Sequence, residues 1–123
     1  MKVKIDTKEK LHVITIHEPD LAANMTEEMD NVFMPLLDNN VKNVVINMKD
    51  IKYLDNAAAR HLLTINKQFY SHGASFVITE FQPEVKRTLS DASLLDQLNH
   101  TLTESEAIDI VQMEELEREF GEV

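Results

Sequence analysis

The chain predicts one α/β domain, a mixed sheet of four or five strands packed against about four helices. Three observations carry this. Two alternating segments joined by a short polar stretch open the chain, the pattern of an antiparallel hairpin. From residue 43 onward apolar strand-like runs alternate with helix-like runs, which requires parallel pairing and makes the sheet mixed. No internal repeat, low-complexity tract or Gly/Ser linker divides the 123 residues, so 1–123 reads as one domain, long enough to bury a core without disulfides or a structural metal.

The elements follow in order. Val3 to Asp6 and Leu11 to Ile16 alternate, and Thr7 to Lys10 supply the turn between them. Thr26-Glu27-Glu28-Met29 opens a helix with acidic residues in its first turn, and Met29, Val32, Phe33, Leu36 and Leu37 recur at helical spacing. Pro35 interrupts that pattern. It predicts a bend or an early end, unless its missing N–H falls in a new first turn. Asn39-Asn40 makes a turn, and Val44-Val45-Ile46 is a β-branched run suited to a strand buried on both faces.

Met48, Ile51, Tyr53 and Leu54 continue the apolar supply into a short loop, and a helix begins near Asp55 and Asn56. Either side chain can accept a hydrogen bond from the next turn, and Ala57, Ala58 and Ala59 follow as strong helix formers. This helix runs to about Ser71 and buries Leu62, Ile65 and Phe69, ending at His72-Gly73 with Gly73 left-handed. Phe76-Val77-Ile78 is the next buried strand, and Pro83 occupies the favoured first position of another helix. Residues 105–120 read as an acidic last helix with a break near its middle. Its stripe of Met113, Leu116 and Phe120 is expected to pack on its own domain, the alternative being a helix that joins a second copy or a partner.

Composition narrows the function. Twelve basic against 22 acidic residues leave a formal charge of −10, which repels phosphate backbones and anionic lipid, so direct nucleic-acid binding is not expected. From Glu104 to Val123 eight residues are acidic and one is basic, so most of the excess lies in the C-terminal segment. There is no cysteine, no apolar run near the roughly 20 residues of a membrane span and no signal-peptide core; the chain reads as soluble and cytoplasmic. His12, His17, His61, His72 and His100 form no pair at ligand spacing, so no metal or cofactor is expected. No Gly-x-Ser-x-Gly elbow, phosphate-binding glycine loop or cysteine nucleophile is present, and a non-enzymatic protein is expected.

The most informative segment is the junction from Val44 to Leu63, which places an exposed helix N-terminus at the carboxyl end of a strand, where open α/β sheets bind partners. An apolar strand, an apolar residue, Asp55, two small residues and a long helix resemble the STAS domain, the fold of bacterial anti-sigma-factor antagonists. His17-Glu18-Pro19-Asp20-Leu21-Ala22 resembles the family's loop after the second strand, with Asp20 at its aspartate, and Pro83-Glu84-Val85-Lys86-Arg87-Thr88-Leu89 resembles its Pro-x-Val-x-x-x-Leu helix. In phosphorylatable members the junction reads approximately Asp-Ser-Ser-Gly, with phosphate on the second serine; here it reads Asp55-Asn56-Ala57-Ala58, with Ala57 at the phosphoacceptor position.

The resemblance implies a protein-binding regulatory module that captures an anti-sigma factor or serine kinase and so controls a sigma factor. It implies a partner surface of Asp55, Asn56, Ala57 and Ala58 together with Asp20, Leu21 and Asn24 on the neighbouring loop, and no catalytic residue. Two rival readings are a structural STAS subunit of a transport complex or homodimeric scaffold, and a small enzyme using Asp20 or Asp55 as a carboxylate.

Overall fold

The computed structural model describes residues 1–121. β1 (Val3–Thr7) and β2 (Leu11–Ile16) pair antiparallel, with Val3 opposite Ile16 and Thr7 opposite His12. β3 (Asp20–Leu21) leads through a 3-10 turn at Ala23–Met25 into α1 (Thr26–Phe33). The α-helix stops at Phe33, and a 3-10 turn over Met34–Asp38 takes Pro35 in its first turn, where a missing N–H costs no hydrogen bond.

β4 (Asn43–Asn47), buried throughout, is followed by β5 (Tyr53–Leu54) and by α2 (Asn56–Ser71). Gly73, at φ +72°, makes the left-handed exit from α2. β6 (Phe76–Thr79), α3 (Pro83–Asp91), β7 (His100–Thr101) and α4 (Glu104–Phe120) complete the chain.

Five strands form one mixed sheet in the order β1-β2-β4-β6-β7, parallel except for the β1–β2 pair. Alternation then decides which side of the sheet each side chain joins. Ile14, Ile16, Val44, Ile46, Phe76 and Ile78 face a large core with Met29, Phe33, Leu62, Phe69 and Leu89 from the first three helices. Phe76 is its aromatic centre, edge-on to Phe33 at 6.1 Å and tilted against Phe69 at 5.3 Å. Leu11, Val13, Val45 and Val77 face the other way into a smaller core closed by Ala107 and Val111 of α4.

Two expectations about α4 are corrected. The helix is unbroken over 17 residues: no Gly or Pro interrupts it, and the Thr103 side chain caps it by accepting the Glu106 N–H. Its stripe does not pack on the domain, for Met113, Leu116 and Phe120 are 59, 55 and 66% exposed. The reason is polar. Arg118 Nη2 donates to Asn43 Oδ1 at 2.9 Å and to Ser75 Oγ at 2.8 Å, and Asn43 Nδ2 donates to Glu115 Oε1 at 2.9 Å. These bonds turn the polar edge of the last turns toward the buried Asn43 and Ser75, and the apolar stripe outward.

The far end of α2 is held to α4 as well. The Tyr70 hydroxyl donates to Glu114 Oε1 at 2.8 Å and accepts from Asn99 Nδ2. Burial, reinforced by the bond to Glu114, pushes the phenol up to about 12. A raised folded-state value stabilises the protonated phenol, so this contribution is present below the ordinary phenol value of 10.0 and is lost as pH rises through about 12. Alkaline denaturation should therefore show the parent protein losing stability between about pH 10 and 12 relative to Tyr70→Phe; parallel profiles would contradict the assignment.

Candidate functional site

The loops that follow β2 and β4 are stitched together at the carboxyl end of the parallel strands. Pro19 O accepts from Lys52 N–H at 2.7 Å and Tyr53 N–H at 3.1 Å, and the short β3–β5 ladder continues this pairing in parallel. Asp55 is the knot. Its N–H donates to Leu21 O, its Oδ1 accepts the Ala58 N–H at 2.8 Å, and its Oδ2 accepts the Ala23 N–H at 2.9 Å. One carboxylate therefore caps α2 and ties it to the loop that carries Asp20 and Asn24.

Of the two candidate caps, the structure selects Asp55 and makes Asn56 the first helical residue. Asn56 and Ala57 are exposed, and their first-turn N–H groups have no intrahelical acceptor. Asp20 and Asn24 are exposed on the adjoining loop. Leu21 and Ala58 are fully buried, so their side chains support the surface from the core side. A cleft beside the helix end is lined by Tyr53, Asp55 and Asn56 with Thr88 and Asp91 of α3. Tyr53, expected to continue the apolar supply with Met48, Ile51 and Leu54, is instead 58% exposed on this cleft, and its place just before a helix cap was the available signal; nothing in the sequence marks Thr88 or Asp91 as part of the site.

Removing the Asp55 carboxylate leaves both the helix end and the loop unclasped. Asp55→Ala should cost about 2 to 3 kcal/mol of stability by denaturant titration, the sum of a lost cap and a lost charged hydrogen bond. A cost below about 0.5 kcal/mol would show that the clasp contributes nothing.

His17 Nδ1 lies 2.7 Å from Asp50 Oδ2 on the same rim, and His61 Nε2 lies 2.7 Å from Asp30 Oδ1 between α2 and α1. Each is an isolated pair across two elements. Among the described residues no cluster of three or more His, Asp or Glu side chains is arranged to hold a metal ion. None of the helices among those residues is long and apolar enough to cross a membrane.

A family model for the STAS domain matches residues 2–107. The chain belongs to the STAS domain family. The match takes in the whole sheet and the three helices on its larger face, and ends in the first turn of α4. Among solved structures, an anti-sigma factor antagonist from Mycobacterium paratuberculosis shares the STAS fold with a TM-score of 0.78 at 11% identity, over 90% of this chain and 93% of that one. RsbS from Moorella thermoacetica gives 0.75 at 22% identity, over 91% and 96%. The anti-sigma factor antagonist SpoIIAA in its unphosphorylated form gives 0.71 at 16% identity, over 90% and 96%. No curated protein matches the chain.

Proposed function

We propose that this STAS domain is a non-enzymatic, cytoplasmic regulatory module of the anti-sigma-factor antagonist type, which docks an anti-sigma factor or serine kinase on the N-terminus of α2. The observation that carries the reading is the exposed first turn at Asn56 and Ala57, held rigidly beside Asp20 and Asn24 by the Asp55 carboxylate. With two first-turn N–H donors at Asn56 and Ala57 and an exposed apolar side chain at Ala57 beside the cleft, this surface suits a protein partner. In the family that Asp55-Asn56-Ala57-Ala58 resembles, phosphate at the second position after the aspartate adds nearly two negative charges to the docking surface and drives the partner away. Ala57 has no oxygen to phosphorylate, so the module is permanently competent to bind.

The test uses the kinase that co-purifies with the protein from its native cell. Incubated with that kinase and ATP, the parent protein should take no phosphate, whereas Ala57→Ser should be phosphorylated at the substituted position and then lose affinity. Stoichiometric phosphate on the parent, at a hydroxyl such as Thr26 or the exposed Thr64, would mean that the switch has moved and binding is not constitutive.

A further inference from the structure

We propose that the free edge of β1 is a self-association site, through which two copies of the chain join by antiparallel β1–β1 pairing about a two-fold axis at Ile5. Two backbone bonds fix which way the edge points: His17 N–H donates to Lys2 O at 2.8 Å, and Lys8 N–H donates to Leu11 O at 2.8 Å. In an antiparallel ladder hydrogen-bonded pairs alternate with non-bonded ones, so Lys4 and Asp6 turn their backbone groups to β2. Those of Val3, Ile5 and Thr7 turn outward, and β1 ends the five-stranded sheet, so among the described residues they meet no further strand.

A second β1 fits this edge in one register. With Ile5 opposite the partner's Ile5, Val3 falls opposite the partner's Thr7, and every outward N–H and C=O meets its complement. All three positions carry β-branched residues, which suit a pleated edge. The same register sets Lys4 opposite the partner's Asp6, and Asp6 opposite the partner's Lys4. Both are non-hydrogen-bonded pairs in the new ladder, where side chains come closest. The charges are available for this. Among the described residues Lys4 has no carboxylate within ion-pair distance, and Asp6, 62% exposed, meets only Lys8 at 3.4 Å.

A lysine on an edge strand ordinarily blocks pairing. Here Asp6 two residues away turns it into a self-complementary mark. Ile5 is 45% exposed on the larger-core side of the sheet, beside Ile14, and pairing covers it. A contact through five residues of edge is small beside the interfaces of permanent dimers, so the dimer is weak and concentration-dependent. No residue of β1 lines the cleft at Asp55, so both copies keep that surface free.

Sedimentation equilibrium of the full chain at rising concentration tests the register by charge exchange. Lys4→Asp alone and Asp6→Lys alone each set like charges opposite at both symmetric contacts, and each should weaken self-association about tenfold. An equimolar mixture of the two variants restores opposite charges at both contacts and should associate as the parent does, with circular dichroism verifying that each remains folded. A parent that stays monomeric up to its solubility limit overturns the proposal. So does a dimer indifferent to both substitutions, the result expected if the exposed stripe on α4 joined the copies instead.

Discussion

Ala57→Glu should weaken binding of the co-purifying partner by 2 to 5 kcal/mol, roughly 30-fold to several-thousand-fold, while the fold stays intact. The two effects separate because they act on different states. In the free domain the side chain is exposed in the first turn of α2, where a carboxylate is compatible with the helix dipole and should change stability by no more than about 1 kcal/mol. With the partner docked as proposed, a carboxylate introduced at this contact would be desolvated and left unpaired. Ala57→Ser is the matched control, restoring the hydroxyl without charge and binding almost normally until it is phosphorylated. Isothermal calorimetry gives the affinity, and thermal unfolding gives the stability.

Deleting residues 113–123 should leave a soluble, cooperatively folding domain that has lost on the order of 3 to 5 kcal/mol of stability, read by denaturant titration. The smaller core survives because Ala107 and Val111 lie before the cut. What goes is the polar anchoring: Arg118 from Asn43 and Ser75, Glu115 from Asn43, and Glu114 from Tyr70. The loss of Met113, Leu116 and Phe120 costs little, because they are exposed. An unfolded product would place that stripe in the core, and unchanged stability would mean that the Arg118 bonds contribute nothing.

How much of this was legible in the sequence varied with the length of each signal. The long apolar runs of β4 and β6, the Gly73 exit and Pro83 at the head of α3 announced themselves through periodicity and backbone chemistry, and each stands where those rules place it. β3, β5 and β7 have two residues each, too few to display a period; β3 and β5 exist because neighbouring loops pair, and β7 because it meets the edge of β6. For the stripe on α4, spacing identifies a face but not the side on which the core lies. That was decided by Arg118 reaching Asn43 and Ser75, 75 and 43 residues away in the chain. At the junction the sequence left Asp55 and Asn56 equivalent as caps. Asp55 wins because its second oxygen finds the Ala23 N–H, a long-range bond with no local signature.

The exposed first turn of α2 carries the functional account, and amide hydrogen exchange of the free and partner-bound protein tests it directly. In the free domain the N–H groups of Asn56 and Ala57 have no intrahelical acceptor and should exchange rapidly. On binding they should become protected, together with the loop around Asn24. Protection confined to α4 around Met113, Leu116 and Phe120, with Asn56 and Ala57 exchanging as before, would contradict the account and move the partner to the opposite face of the sheet.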